Sequence, residues 1–198
     1  MSDFWLYFTI GLRHVLDING YDHILFLIAL TLPYAFNDWR KVLLLVSIFT
    51  VGHTLSLLLS VYGIVNLEAD VIEFLIPVTI LSTAIYNIVK ARKKSSRKEK
   101  GGMNFIAVTT LFFGLIHGLG FSNYFKIMLD KSSDKKLAPL LEFALGIEAA
   151  QLIIVLAVLI LSYVLQEFFR IAKRDWILIM SAFIAGVVVP MIIQNKIW

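Results

Sequence analysis

Long runs of apolar residues, separated by short polar stretches, recur along the whole chain. The runs are continuous rather than alternating, which favours membrane α-helices over the period-two strands of a β-barrel. The pattern predicts an all-α, polytopic membrane helical bundle of about seven helices, six or seven of them transmembrane. The predicted helices cover residues 3–17, 21–35, 40–63, 70–91, 103–121, 138–167 and 176–195.

The first two predicted helices are short for a bilayer, which needs about 20 apolar residues for one helical crossing. The segment between them, Ile18-Asn19-Gly20, has the composition of a turn. We therefore expect either two thin spans or one span beside a re-entrant segment.

Composition excludes a soluble domain. Hydrophobic residues make up 59% of the chain and charged residues 16%, whereas soluble domains are about 45–50% apolar. Residues 1–198 are expected to form a single integral-membrane helical domain. The chain has no cysteine, so its residues offer neither disulfides nor thiolate metal ligands. It also lacks a P-loop motif, and no ATP-binding role is expected.

The basic residues predict orientation. Residues 90–100 carry seven Lys and Arg, so the loop at 92–102 is expected to be cytoplasmic by the positive-inside rule. Twelve basic residues then fall inside and six outside, which places the N-terminus inside and the C-terminus outside a bacterial-type inner or plasma membrane. Trp5, Trp39 and Trp176 then fall at inner helix ends and Trp198 at the outer surface. The same loop could instead bind anionic lipid headgroups; no nucleic-acid partner is expected.

Ionisable groups inside the apolar runs are the candidates for chemistry, because burying them in a bilayer is costly unless they face a partner, an ion or water. With the predicted orientation they all fall in the outer half of the membrane, with His117 about one turn from the outer end of its helix. This convergence predicts one cavity that is open to the outside. The members are His14, Asp17, Asp22, His23, His53, His117, Glu142 and Glu148, with Gln151 one turn beyond Glu148 and Glu73 at the outer rim.

Imidazole and carboxylate without thiolate form a nitrogen and oxygen ligand set, which suits Ni(II), Zn(II), Co(II) or Fe(II). Asp17 and Glu148 could orient imidazoles as hydrogen-bond acceptors, with Gln151 and Glu73 along a pathway. Taken singly, His53 could equally be a hydrogen-bonded packing residue, and Asp22 could merely cap its helix. The predicted metal ligands are His14, Asp22, His23, His53 and His117.

At these residues the chain resembles the HupE/UreJ family of integral membrane proteins, and within it the less characterised second branch. The likeness covers nearly the whole chain. It is carried by Gly11-Leu-Arg-His14, Gly20-Tyr-Asp22-His23-Ile-Leu-Phe-Leu, Phe49-Thr-Val-Gly-His53-Thr-Leu-Ser, Phe113-Gly-Leu-Ile-His117-Gly-Leu-Gly-Phe and Leu145-Gly-Ile-Glu148-Ala-Ala-Gln151.

The resemblance implies a small helical permease, associated in some bacteria with nickel supply to hydrogenase or urease, in which His14, Asp22, His23 and His117 handle the metal. Two departures are visible. The nickel-permease branch spaces its first His and its Asp-His pair more closely, and it has a Glu where this chain has Ser122. Both departures bear on nickel more than on metal binding.

Two functions are compatible with this set of residues. The first is a divalent-metal permease of the nickel or cobalt type, in which ions pass from the imidazoles inward past Glu148 and Gln151. The second is an intramembrane zinc hydrolase, in which three histidines activate water and Asp22, Asp17 or Glu148 is the base. A metal-binding accessory subunit that signals through the basic loop is a third, less supported hypothesis. The lipid bilayer and a divalent ion are the expected partners, and the oligomeric state stays open.

Overall fold

A computed structural model describes residues 3–18, 20–93, 102–129 and 136–195. These residues are helical apart from short connections, and no strand occurs among them. The predicted all-α class and the seven α-helices are confirmed. In chain order they are α1 (Asp3–Leu16), α2 (Asp22–Thr31), α3 (Trp39–Val61), α4 (Ala69–Arg92), α5 (Gly102–Met128), α6 (Leu137–Glu167) and α7 (Lys173–Gln194), with a 3₁₀ turn at Phe36–Asp38 before α3.

The last five of these helices are long and apolar enough to cross a membrane, and the 3₁₀ turn extends the span that contains α3 to Phe36–Val61. The protein is therefore a multi-pass membrane protein. α1 and α2 are shorter, with 14 and 10 residues. At 1.5 Å per residue α2 extends roughly 15 Å, about half of a hydrocarbon core. The predicted shortness of the first two helices is thus confirmed.

Two helix ends differ from the prediction by four residues or more. α2 stops at Thr31, four residues early, because Pro33 has no N–H to continue the helix and the chain turns, with the Tyr34 N–H donating to the Thr31 carbonyl at 3.0 Å. α5 continues to Met128, seven residues beyond the predicted end. His117 therefore lies about three turns from the end of its helix, and the expected single turn is wrong.

Close helix packing depends on glycine. α3 packs against α5, and α1 against α6. A Cβ on Gly52 or Gly114 would overlap a backbone carbonyl oxygen of the facing helix, at Leu111 and Phe49 respectively. Gly11 and Gly146 have the same role between α1 and α6. Small residues let membrane helices approach with their backbones nearly in contact, and this brings α1, α3, α5 and α6 around one centre.

The short helix α2 is enclosed by the others, with neighbours that include α4, α6 and α7. Seven of its ten residues are buried, and the side chains of Phe26, Leu27 and Ala29 have no exposed surface. A helix that is apolar around its whole circumference is expected in such a position. Its enclosure places His23, near its start, inside the bundle.

The predicted orientation of the termini remains a prediction. Residues 94–101 of the basic loop, together with Lys131, Lys135, Lys196 and Trp198, lie outside the described residues. Trp39 is half exposed at the start of α3, as a residue of an interfacial belt would be. Trp176 lies in the first turn of α7, where it is buried among the helices and its indole N–H donates to the Ser162 hydroxyl at 3.0 Å.

Candidate metal centre

Three imidazoles from three different helices meet inside the bundle. One ring nitrogen from each of His14, His23 and His53 lies within 4.8 Å of the other two. The ring centroids of His14 and His23 are 4.7 Å apart, and that of His53 lies 5.8 Å from each. Residues separated by up to 39 positions in the sequence are thus brought into one group of nitrogen donors.

His117 joins the group from α5. Its ring centroid lies 5.2 Å from that of His23. Its Nδ1 lies 2.8 Å from the carbonyl oxygen of Phe113, one turn earlier on the same helix. Because a carbonyl oxygen only accepts, Nδ1 must carry the hydrogen, and Nε2 keeps a free lone pair. These four residues are called the imidazole cluster below.

Asp22 acts on the cluster through His23. Its Oδ1 accepts the backbone N–H of His23 at 2.8 Å and lies 3.0 Å from the Nδ1 of the same residue. A hydrogen on Nδ1 satisfies this contact, so the Nε2 of His23 is left as a donor to a metal. Carboxylate-to-imidazole pairs of this kind orient ligands in many metal sites. The contact with His23 is compatible with such a role, and the direct ligation by Asp22 that the sequence suggests remains a prediction.

The cluster contains buried nitrogen atoms without partners. The Nε2 atoms of all four histidines and the Nδ1 of His53 are buried and have no hydrogen-bond partner among the described residues. His53 and His117 are 0% and 1% exposed. Burying an unpaired polar group costs a few kcal/mol, and such an atom in a folded protein calls for an explanation such as an ion. A divalent transition metal would supply the missing partner for several of them, so the donor set fits one.

Aromatic rings surround the cluster. The ring centroid of Phe121 lies 3.9 Å from that of His14, and the ring centroid of Phe143 lies 5.9 Å from it. Phe49 and Phe26 lie 5.1 and 5.5 Å from His117. An apolar shell of this kind excludes water and lowers the local dielectric constant, which strengthens the interaction of a metal with its ligands.

A second polar group lies beside the cluster, between α3 and α6. The Ser47 hydroxyl donates to Glu148 Oε1 at 2.6 Å, and the Thr50 hydroxyl contacts Glu148 Oε2. Thr50 Oγ1 also lies 2.8 Å from Oε1 of Gln151, which is completely buried. Ser47, Thr50 and His53 follow each other at intervals of three along α3, so this carboxylate group continues the helix stripe that carries His53.

Two of the predicted positions lie at the surface of the structure. Asp17 is exposed just after the end of α1, and Glu73 is exposed on α4, where its backbone carbonyl accepts the side-chain N–H of Asn195 at 3.2 Å. Two functional contacts were not predicted: the Ser47 hydroxyl and the Phe113 carbonyl. The three-residue spacing of Ser47 from Thr50 and His53 could have identified the first, but a backbone carbonyl leaves no signal in a sequence.

Comparison with known proteins gives one family. A family model described as HupE / UreJ protein matches residues 1–195, nearly the whole chain. That family is associated with nickel and cobalt transport. No curated protein and no solved structure gives a significant match.

Proposed function

The chain belongs to the HupE/UreJ family, and we propose that it is a permease that carries a divalent transition-metal ion across the membrane. The ion is bound by His14, His23, His53 and His117 of the imidazole cluster, with Asp22 orienting His23. Nickel and cobalt are the first candidates because of the family, and zinc is the third because imidazole suits all three metals.

One observation carries the proposal: four buried Nε2 atoms from four helices lack partners, and the rings that carry them are neighbours, with a nitrogen of His14, His23 and His53 within 4.8 Å of the other two and the His117 ring 5.2 Å from that of His23. An ordinary packing histidine would bond to its neighbours, as the Nδ1 atoms of His23 and His117 do. Four such atoms together are expensive to bury. Neutral imidazole nitrogen is also the form of histidine that binds metals.

The charge of the site suits a transported ion. The cluster itself contributes neutral donors, and its nearest carboxylate, Asp22, acts through His23. Glu148 supplies a second carboxylate next to the His53 stripe, where it is held by Ser47 and Thr50. The imidazoles would thus bind the dication directly, and the two carboxylates would offset its charge without being needed as ligands.

The test has two parts. Protein purified in detergent is analysed for bound nickel, cobalt and zinc, and the wild type is compared with His23→Ala and His117→Ala. We expect bound metal in the wild type and its loss in both variants. Wild-type protein in reconstituted vesicles is expected to take up at least one of these ions faster than protein-free vesicles. If uptake matches that of protein-free vesicles for all three ions, the proposed permease function is wrong.

A zinc hydrolase is the second candidate, and the group of three imidazoles favours it. His14, His23 and His53 could hold zinc with a fourth position left for water, as in catalytic zinc sites. The possible bases are less suitable, because Asp22 is bonded to His23, Glu148 is bonded to Ser47 and Thr50, and Asp17 is exposed. Zinc retained at one ion per protein, without uptake in vesicles, would favour the hydrolase.

A further inference from the structure

A cavity of about 420 Å³ lies between α2, α4 and α5. Along the cavity, away from Phe26 and Phe113, the lining residues of α2 and α4 come progressively closer to the carboxyl ends of their helices. Those of α5 come progressively closer to its amino end. Phe26 and Phe113 therefore form one end of the cavity, and Asp38 and Lys90 lie at the other. The cavity thus extends from the neighbourhood of the imidazole cluster toward the end of α4 that carries the basic loop.

A single layer of aromatic rings separates this cavity from the imidazole cluster. Phe26 lies one turn beyond His23 on α2, and Phe113 lies one turn before His117 on α5. The ring centroid of Phe26 is 5.5 Å from that of His117 and 6.0 Å from that of Phe113. Because the Phe26 side chain lines the cavity and also lies beside a cluster imidazole, this ring stands directly between the cavity and the cluster.

The electrostatics of the cavity favour a cation. The carboxyl end of the half-length helix α2 forms part of its wall through Ala29 and Leu30. That end of a helix carries a partial negative charge, and discontinuous membrane helices use such ends to hold ions. The Asn87 side-chain N–H donates to the Ala29 carbonyl at 2.7 Å, which leaves Oδ1 of Asn87 as an oxygen ligand. Lys41 and Lys90 are exposed at the mouth, where water and salt screen them.

We propose that this cavity is the vestibule through which the metal ion leaves the imidazole cluster, and that the Phe26 ring is the barrier between the two. The proposal rests on the proposed permease function. In the vestibule the ion is received by oxygen atoms, with Asn87 and Thr110 as the polar side chains that are buried in its wall. Hard oxygen donors hold nickel, cobalt and zinc less tightly than imidazole does. An ion that has passed from the imidazole cluster into the vestibule is therefore bound more weakly and is released more easily.

The native chain has no cysteine, so single cysteines can report access without a background. We would place one at Thr110 in the vestibule, one at the 67% exposed Val108 of the same helix as the control, and one at Lys93 to mark the face with the basic loop. A charged methanethiosulfonate is added to either face of sealed vesicles. Thr110→Cys is expected to react from the face at which Lys93→Cys reacts. From that face, Thr110→Cys should react about ten times faster than it does from the opposite face. It should also react about ten times faster than Val108→Cys. Each tenfold ratio corresponds to a difference of about 1.4 kcal/mol in the barrier.

Removing the Phe26 ring tests the barrier. In Phe26→Ala, Thr110→Cys should become reactive from the opposite face, with a rate that rises about tenfold. Phe26→Leu, whose side chain fills more of the space than alanine, should give a smaller rise in this rate. It replaces Phe26→Ala in the experiment if the alanine variant does not fold, and bound metal is the measure of folding for both variants. An unchanged rate from the opposite face in a folded variant overturns the barrier. Wild-type metal uptake without any reaction of Thr110→Cys overturns the vestibule alone, whereas absence of uptake overturns the permease.

Discussion

The Oδ1 atom of Asp22 contacts both the backbone N–H and the ring Nδ1 of His23, the next residue in the chain, at 2.8 and 3.0 Å. One carboxylate oxygen therefore fixes the start of α2 and the orientation of an imidazole in the same place. The first turn of a helix favours a negative charge, so the position of Asp22 is also stabilised by the helix dipole. The Asp-His pair is thus a local unit that points a nitrogen lone pair into the cluster.

Asp22→Asn should weaken metal binding. The amide has nearly the shape of the carboxylate but lacks its charge, so His23 keeps its place and becomes a poorer donor. Partners of this kind are worth about 10–100-fold in metal affinity. We expect that loss for nickel, cobalt or zinc, measured by competition with a chromophoric chelator in detergent. Asp70→Asn, which changes an acidic residue in the first turn of α4, is the control and should bind as the wild type does.

From the sequence alone, the candidate ligand residues could be identified, but the distances between their side chains could not. The long apolar runs placed His53 and His117 inside helices. An imidazole in such a run is costly to bury in a bilayer, so both residues could be identified as candidates for the site. Whether the rings meet depends on helix packing, and that depends on carbonyl contacts at Gly52 and Gly114, which no residue pattern specifies. The predicted end of α5 was also seven residues too early. The cavity beside Phe26 is likewise a property of three packed helices.

His53→Leu should have opposite effects with and without metal. Both ring nitrogens of His53 are buried without partners, and replacing such a group by an apolar side chain of similar size is close to neutral or stabilising. In metal-free protein the unfolding temperature should therefore stay the same or rise.

With metal present the order should reverse. An ion at a hundred times its dissociation constant stabilises a folded protein by about 2.7 kcal/mol, and His53→Leu should lose most of this gain. Ser60→Ala, a change at another buried polar residue of α3, should keep it. Thermal unfolding in detergent, with and without nickel, cobalt or zinc, measures both effects. An equal metal-dependent rise in His53→Leu and the wild type would exclude His53 as a ligand.

Gly114→Ala should destabilise the protein. Its Cβ would overlap the Phe49 carbonyl oxygen, a backbone atom that cannot move without separating α3 from α5. Overpacking of this kind costs about 1–3 kcal/mol. Gly186→Ala is the matched control, because nothing lies within 4 Å of a Cβ there, and the better helix propensity of alanine should leave stability equal or slightly higher. Similar unfolding temperatures for the two variants would contradict the close helix contact.

Glu148→Gln should slow metal uptake. The carboxylate is held by Ser47 and Thr50 on the α3 stripe that continues to His53, and a negative charge inside a low-dielectric bundle attracts a cation over several residues. The amide keeps hydrogen bonds to both hydroxyls but removes the charge. We expect uptake into vesicles to fall about tenfold, equivalent to about 1.4 kcal/mol in the barrier, while metal stays bound to the imidazole cluster. Glu167→Gln, at the exposed end of the same helix, should transport as the wild type does. If Glu148→Gln and Glu167→Gln carry metal at equal rates, Glu148 only packs α3 against α6.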